Sequence, residues 1–277
     1  MMGPQIRCLS GDRLHLHHGP IDLILWAEGA QVAQAYAQAI ARFEHVLEEL
    51  VAELDDLRDP VPGAFNGPIA QAMGAATVPF RPAFITPMAA VAGAVADEVL
   101  ATMCRGSGLT RAYVNNGGDI AVHLAPEQSL TAAMVGAGSA QLTLHHNHPA
   151  RGIATSGRGG RSLSCGIADC VTVVAHSAAM ADAAATMIAN AVDLPGHPAI
   201  TRRPARSLKA DSDLGDILVT TALGLLTQSE VAAALRNGYA AAQAYAARGL
   251  IAGAALFLHS QSRTLGTLSL AKDIEYV

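Results

Sequence analysis

Two long stretches of the chain, residues 89–96 and 178–191, consist almost entirely of small apolar side chains. A helix that is apolar on every side is normally buried, so both stretches predict tightly packed interior helices. The composition agrees, with 51% hydrophobic, 15% charged and only 4% aromatic residues. A chain of 277 residues of this kind can bury a sizeable core, which excludes intrinsic disorder.

The apolar composition does not predict a membrane span. A spanning helix needs about 20 consecutive apolar residues. The best candidate, residues 175–192, is interrupted by His176, Asp182, Thr186 and Asn190. Residues 1–19 carry charged and histidine side chains in place of the apolar run of a signal peptide. We therefore expect a cytoplasmic protein without membrane contact.

Cysteine and charge content argue against two further classes of protein. The four cysteines are scattered, and the closest pair, Cys165 and Cys170, lacks the spacing of a zinc site or a disulfide framework. The net charge of −5 comes without a basic patch, so nucleic acid is not expected as a partner.

The first part of the chain predicts two helices separated by a loop. Apolar residues recur every three or four positions from Tyr36 to Leu57, which predicts one continuous helix. The prolines and glycines of residues 60–82 predict a loop of some 20 residues. Thr86 and Pro87 then predict the start of a small-residue helix that ends near residue 106.

Strands and single helices alternate in the rest of the chain. A second small-residue helix starts at Ala178, and a last helix opens on a capping box from Thr227 to Glu230. Strands are predicted at residues 111–115, 120–124, 130–135, 141–145, 153–155, 171–175 and 217–221, with a final hairpin over residues 251–268.

A repeated five-residue pattern suggests that the chain has two similar halves. Gly-Asp-Ile-Ala-Val at residues 118–122 and Gly-Asp-Ile-Leu-Val at residues 215–219 share one pattern. No low-complexity linker divides the chain. We therefore predict an α+β fold of mostly antiparallel sheets with packed helices, forming one pseudo-duplicated domain over residues 1–277 with its internal boundary near residues 150–165.

A polar stripe on the second small-residue helix is the sharpest chemical signal. Asp182, Thr186 and Asn190 are the polar residues of an otherwise apolar segment, and their spacing of four places them on one face. A carboxylate among apolar side chains must be paired or bound to a metal, so this face predicts a buried polar site. The alternative interpretation is structural: this face is the solvent-exposed edge of a mostly buried helix.

Two glycine-containing segments and one further carboxylate are candidates for ligand contacts. Asn116, Gly117, Gly118 and Asp119 lie between two strands, where paired glycines permit positive φ and leave amides free. Thr155, Ser156 and Gly157 open a glycine-rich loop suited to phosphate oxygens, and Asp169 precedes the strand at residues 171–175. Alone, each segment is a weak signal: a Gly-Gly-Asp is more often a tight turn than a binding loop, and the glycine-rich stretch matches neither the Walker nor the Rossmann fingerprint.

Read in order, these motifs resemble the uncharacterised-protein branch of the ApbE superfamily. The resemblance rests on Thr-Pro-Met-Ala at residues 86–89 with Asp97, Asn-Asn-Gly-Gly-Asp at 115–119, Thr-Ser-Gly at 155–157, Ala-Asp at 168–169, and Ala-Asp-Ala at 181–183 with Thr186. It covers most of the chain from about residue 60 to residue 190.

The resemblance implies a fold, a cofactor and an activity. The superfamily's fold is an ApbE-like, T-fold-like pair of similar halves. In its better-known branch, the FAD:protein FMN transferases, Mg²⁺ is held by an Asp and a Thr that correspond here to Asp182 and Thr186. Those enzymes cleave FAD and transfer FMN to a Ser or Thr hydroxyl of a target protein. The chain differs in having Ala92 in place of a lysine, and residues 159–165 in place of a histidine-rich segment.

The first functional hypothesis is an Mg²⁺-dependent enzyme that acts on FAD, FMN or a related nucleotide, as a flavin transferase or an FAD hydrolase. Asp182 and Thr186 would hold the metal, with Asp182 and Asp169 as the catalytic carboxylates and Asp119 as an alternative base. The ligand would be positioned by the two glycine-containing segments: Asn116, Gly117, Gly118, Asp119, Thr155, Ser156 and Gly157.

The second hypothesis is a non-catalytic flavin-binding module or an accessory subunit of a redox enzyme, which the missing lysine and histidine-rich segment favour. It predicts a bound small molecule without turnover and a lasting protein partner. A third hypothesis gives the polar stripe a purely structural role in the core. The small-residue helices and strand edges are also compatible with a homodimer.

Overall fold

The computed structural model describes residues 3–133, 141–160 and 162–266. The chain forms two compact units. The first comprises the described residues of Met1–Leu130, Leu144–Ala154 and Ala175–Ala183, and the second those of Thr131–Thr143, Thr155–Val174 and Ala184–Val277. The last two residues of the strand predicted at 130–135, and the end of the final hairpin, lie outside the described residues.

Along the described residues, runs of strands are separated by helices, and the first four α-helices follow one another without an intervening strand. The strands are β1 (Gln5–Leu9), β2 (Arg13–His18), β3 (Ile21–Gly29), β4 (Leu109–Asn116), β5 (Asp119–Leu124), β6 (Ser129–Ala133), β7 (Gln141–His145), β8 (Gly152–Ser156), β9 (Cys170–Ala175), β10 (Ile200–Pro204), β11 (Leu218–Leu223), β12 (Gly253–Leu258) and β13 (Gln261–Gly266). The α-helices are α1 (Val32–Ala52), α2 (Leu54–Leu57), α3 (Pro68–Thr77), α4 (Val91–Cys104), α5 (Ala178–Ala191) and α6 (Gln228–Ala247).

The first unit is built on an antiparallel sheet. Strands β1 to β5 pair in sequence order, and the start of β8 pairs with β5. Alternate residues of β2 and β3 are buried, among them Leu16, Leu23 and Leu25, because successive side chains of a strand point to opposite faces. Helix α4 packs on β4 and β5, which places its small residues in the core.

In the second unit β9 pairs with β12, which pairs with β13, both in the antiparallel sense. All six residues of β9 and all six of β12 are buried, as expected of strands covered on both faces. Helix α6 packs on β12 and β13. It starts at the predicted capping box, in which Thr227 Oγ1 accepts from the Glu230 amide and the Glu230 carboxylate accepts from the Thr227 amide. These elements confirm the predicted α+β class with mostly antiparallel sheets.

The prediction of a structureless loop over residues 60–82 was wrong. Helix α3 occupies part of it, with Pro68 in the first turn, where a missing amide hydrogen costs nothing. The Glu53 carboxylate accepts hydrogen bonds from the amides of Asn66 and Gly67 at 2.8 Å. The same residue separates α1 from α2, so the one predicted helix is two.

The apolar segment that best meets the length and composition of a membrane span is Pro87–Cys104, with a mean hydropathy of 1.3, and not residues 175–192. Of this segment, 56% is buried inside the fold. Core helices of soluble proteins have the same length and composition, so one such segment is weak support for a membrane location.

Candidate functional site

Helices α4 and α5 each supply a carboxylate to the first turn of the other. Asp182 on α5 accepts a hydrogen bond from the Gly93 amide of α4, with 3.1 Å between Oδ2 and N. Helix α4 has no acidic residue in its own first turn and no capping side chain. Its unpaired N-terminal amides therefore take their acceptor from another helix, in the position where a negative charge is most stabilising.

Asp97 completes the exchange in the other direction. Its two carboxylate oxygens accept from the amides of Ala178 and Ala179 at 3.0 and 2.9 Å. Ser177 Oγ accepts from the Met180 amide at 3.2 Å, so three amides of the first turn of α5 are satisfied. The position and direction of Asp182 are thus fixed at both helix starts.

Two glycines allow the backbone around Ser177 and Ala178 to pack this closely. A Cβ on Gly93 would lie 2.2 Å from the Ala178 carbonyl oxygen, and a Cβ on Gly152 would lie 2.1 Å from the Ser177 carbonyl carbon. No larger residue fits either position without moving the backbone. The small-residue composition noted in the sequence is therefore required where α4 and β8 meet the start of α5.

The Gly117–Gly118 pair forms the two-residue turn between β4 and β5. Both glycines have positive φ, 65° and 117°, as a type I′ hairpin requires. The Gly118 amide donates to Asn115 Oδ1 at 2.8 Å, so this amide is already engaged. A Cβ on Gly118 would meet no atom within 4 Å, which leaves open space beside the turn.

Asn116 and Asp119 flank this turn as a register pair, and both are buried. Asn116 Nδ2 donates to the Ala92 carbonyl at 3.1 Å, which ties the hairpin to the first turn of α4. The backbone carbonyl of Ala92 therefore anchors the hairpin. The structure thus brings Asn116, Asp119 and Asp182 around the start of α4.

The electrostatics of this cluster oppose ionisation of Asp182. Burial raises the pKa of Asp182 well above its ordinary value, and the nearby charges of Asp119 and Asp97 raise it further, against the lowering effect of the Gly93 and Ala92 amides. Burial also raises the pKa of Asp97, again opposed by backbone hydrogen bonds. A cation beside Asp182 would relieve the repulsion between these carboxylates.

The polar stripe on α5 is the part of its surface that remains accessible. Asp182, Thr186 and Asn190 are half-buried, whereas the other residues from Ala181 to Ala189 are buried. Asn190 has a structural role, because its Oδ1 accepts from the Cys165 amide at 3.0 Å. Asp182 and Thr186 remain the accessible oxygen-bearing positions of the stripe.

The glycine-rich loop and Asp169 belong to the second unit. Thr155 Oγ1 lies 2.9 Å from Thr172 Oγ1, and Ser156 is half-buried. Gly157 has a φ of 139°, and a Cβ there would lie 2.8 Å from the Asp169 carbonyl oxygen. The loop is therefore packed closely on the segment that carries Asp169.

Both carboxylate oxygens of Asp169 are engaged. Oδ1 pairs with Arg158 Nη2 at 2.7 Å, and Oδ2 accepts from the His259 amide at 2.5 Å. This arrangement holds the loop and the strand start together. It makes Asp169 a weaker candidate for a free base than its sequence position indicated.

The described residues also limit the kind of metal that the first unit can hold. Among them, no group of three or more His, Cys, Asp and Glu side chains is arranged to hold a metal ion. Transition-metal centres use such groups, whereas Mg²⁺ is held by one or two carboxylates and completes its shell with waters and substrate phosphates. A half-buried carboxylate with acidic neighbours fits the second case.

The sequence patterns assign no role to two contributors to this site. Asp97 only ends one of the motifs, and Ala92 is conspicuous in the sequence only for the missing lysine. The sequence does offer one indication that Asp97 has a structural role. It is a charged residue inside an apolar helix, and such a residue needs a buried partner. Its partner amides lie 81 and 82 residues away, and no local pattern identifies them.

The solved structures that are similar to the chain include two flavin transferases named ApbE. The flavin transferase ApbE from Vibrio cholerae is 11% identical, with 95% of this chain and 97% of that chain covered and a TM-score of 0.47. The flavinyl transferase ApbE of Pseudomonas stutzeri, in its apo form, is 13% identical, with 96% of each chain covered and a TM-score of 0.38.

Curated relatives of the chain are UPF0280 proteins. The protein of Methanopyrus kandleri is 31% identical over 71% of this chain and 80% of its own length. Those of Methanothrix thermoacetophila and Methanothermobacter thermautotrophicus are 40% and 41% identical over 39% and 42% of this chain, and the match spans 46% of each relative.

A family model also matches the chain. The model, described as AbpE bacteria, matches residues 6–265. This confirms the resemblance to an ApbE-like branch that the motifs indicated. Because the match spans nearly all of its 277 residues, the chain belongs to the AbpE bacteria family.

Proposed function

We propose that the chain is an Mg²⁺-dependent flavin-binding protein that acts on FAD or a related nucleotide. The observation that carries this proposal is the position of Asp182, which accepts from the Gly93 amide at 3.1 Å and has the buried Asp119 as an acidic neighbour. Asp182 is half-buried, and its pKa is raised by burial and by the acidic neighbours Asp119 and Asp97. An arrangement that makes a carboxylate costly to ionise is expected where a divalent cation supplies the missing charge.

Asp182 would hold the metal, with Thr186 one helical turn further along α5 as the second protein oxygen. Bound Mg²⁺ would neutralise the charge of a nucleotide diphosphate. The chain's own contribution is to fix Asp182 through the Gly93 amide and to hold α5 in place through Asp97. Buried carboxylates and backbone amides held in this way are preorganised.

The hairpin turn would border the ligand. Open space beside Gly118 leaves room for a planar or phosphate group, and the buried side chains of Asn116 and Asp119 flank the same turn. Asp119, which interacts electrostatically with Asp182, is the carboxylate we propose as base in place of Asp169. The loop of Thr155, Ser156 and Gly157 in the second unit stays a separate predicted phosphate contact.

Two reactions suit such a site. In one, water splits FAD into FMN and AMP. In the other, the FMN moiety passes to a Ser or Thr hydroxyl of a target protein, as the resemblance implies, and AMP leaves. Both release AMP from FAD, so AMP is the product that reports activity in either case.

The test is to incubate the purified full chain with FAD and MgCl₂ and to separate the nucleotides by liquid chromatography. We expect AMP to form, accompanied by free FMN where water is the acceptor. Asp182→Asn should slow the reaction by more than the roughly 10–100-fold that losing a supporting partner of a metal ligand causes. Asp55→Asn is the matched control, because Asp55 is an exposed acidic residue on α2.

A non-catalytic flavin-binding module is the second candidate. The engaged amide of Gly118 and the two engaged oxygens of Asp169 favour it, since groups that are already paired are poor participants in chemistry. Quenching of FAD fluorescence by the protein without release of AMP would support this candidate over the enzyme. Absence of both FAD binding and AMP release would refute both.

A further inference from the structure

An open groove lies between α1, the start of α3 and the end of α4, within the first unit. Its volume is about 560 Å³, within the range of roughly 300–1,000 Å³ that is usual for small-molecule sites. Neither Asp182 nor the hairpin turn lines it. The groove is therefore separate from the proposed flavin site, and its function does not depend on that proposal.

Two polar atoms of groove-lining residues are buried without a partner. Gln38 Oε1 and Thr102 Oγ1 have no hydrogen-bond partner among the residues that the structure describes, and both are shielded from solvent. Thr102 as a whole is only 9% exposed. A buried oxygen without a partner is unfavourable until a water or a ligand group donates to it.

The backbone of Arg105 connects these two residues. Gln38 Nε2 donates to the Arg105 carbonyl at 3.1 Å, and the Arg105 amide donates to the Thr102 carbonyl at 3.3 Å. Both residues with unpaired oxygens therefore contact the backbone of Arg105, Gln38 through its side chain and Thr102 through its backbone carbonyl.

Two arginines line the groove, and they differ in their availability to an anion. Arg42 is fully engaged, because its guanidinium donates to Glu49 and Glu98 at 2.7 to 3.0 Å. Arg105 is exposed and forms no ion pair with any residue in the described ranges. With His45 also exposed on the lining, Arg105 is the cation available to an incoming group.

We infer that this groove is a binding site for a hydroxylated organic anion, of the class of a sugar phosphate. Its anionic group pairs with the Arg105 guanidinium, and its hydroxyls pair with Gln38 Oε1 and Thr102 Oγ1. The anionic group would form a charge-assisted contact with Arg105. The hydroxyls would donate to the Gln38 and Thr102 oxygens, which otherwise have no hydrogen-bond partner among the described residues.

The test is isothermal titration calorimetry on the full chain with ribose 5-phosphate, and with ribose and inorganic phosphate as separate probes. We expect ribose 5-phosphate to bind with a stoichiometry of one and more tightly than either fragment. Arg105→Gln should weaken binding about tenfold or more. Arg236→Gln, which removes an exposed arginine of α6, should leave binding unchanged.

Thr102→Val separates a ligand site from a merely structural defect. This variant removes an unpaired buried oxygen, so its melting temperature should rise while its affinity for ribose 5-phosphate falls. Asp182→Asn should bind ribose 5-phosphate as the unmodified chain does. The inference is overturned if ribose 5-phosphate fails to bind, if inorganic phosphate binds equally well, or if Asp182→Asn weakens binding while Arg105→Gln does not.

Discussion

A single carboxylate has two functions in the proposed site. Asp182 accepts the Gly93 amide at the start of α4, and the same group is our proposed metal ligand. A carboxylate has about four lone-pair positions, so the Gly93 and Ala92 amides leave acceptor capacity for a cation. Asp182 can therefore both accept hydrogen bonds from the amides at the start of α4 and bind a metal. Only measurements that separate these two roles are informative.

The raised pKa of Asp182 gives its ionisation a defined effect on stability. The folded chain binds this proton more tightly than the unfolded chain. The free energy of unfolding should therefore fall as the pH rises from about 4, the ordinary pKa of Asp, towards the raised value. Between the two pKa values the slope is about −1.4 kcal/mol per pH unit.

Urea unfolding between pH 4 and pH 8, without divalent metal, measures this slope. Asp182→Asn keeps an acceptor for the Gly93 amide and should reduce the slope, while Asp97, whose pKa is also raised, maintains part of it. Asp55→Asn should leave the slope as it is. An unchanged slope in Asp182→Asn would show that this carboxylate does not carry the raised pKa.

At the scale of single residues, the sequence identified the candidates but not their partners. The spacing of Asp182, Thr186 and Asn190 predicted one stripe, and these residues are the accessible ones of their segment. Spacing could not show that Asn190 is engaged by the Cys165 amide or that Asp169 pairs with Arg158. Such partners depend on which segments the fold brings together.

Helices α4 and α5 form the element on which the site depends. Each helix start is satisfied by a carboxylate of the other, through Asp97 and Asp182. Exchange of this kind fixes the two helices in one relative position, because shifting either helix removes hydrogen bonds from both starts. The residues that would bind a metal are therefore placed by packing as well as by their own rotamers.

Gly93→Ala tests the close approach of these helices. The added Cβ would lie 2.2 Å from the Ala178 carbonyl oxygen, so the variant should lose about 2–3 kcal/mol of unfolding free energy. Gly63→Ala is the control, since a Cβ on Gly63 meets no atom within 4 Å, and it should change stability by at most about 1 kcal/mol. Chemical denaturation of the two variants compares them. Equal stabilities would contradict the packing described for α4 and α5.

Elements with strong local signals were predicted, and those fixed by distant contacts were not. The capping box of Thr227 and the small-residue helix at Ala178 are local patterns, and both are present. Helix α3 was missed because the density of Pro and Gly around it predicts a loop. Pro68 is compatible with a helix start, and Glu53, between α1 and α2, supplies the acceptor.

On the scale of the whole molecule, the family match extends over residues 6–265 and so includes residues of both units. The proposed metal ligand Asp182 and the hairpin turn belong to the first unit, and the glycine-rich loop belongs to the second. The pseudo-duplication predicted from the repeated Gly-Asp-Ile pattern stays a prediction. Substrate and partner are proposals, since the relatives from Methanothrix and Methanothermobacter are matched over 46% of their length.

The most direct test of the central claim is the melting temperature of the full chain with and without MgCl₂ and FAD. A ligand that binds only the folded state, present at about 100 times its Kd, adds about 2.7 kcal/mol and should raise the melting temperature by roughly 5–10 °C. We predict this rise for the unmodified chain and for Asp55→Asn, and its loss in Asp182→Asn. A rise of equal size in Asp182→Asn, or no rise in the unmodified chain, would contradict the proposed magnesium and flavin site.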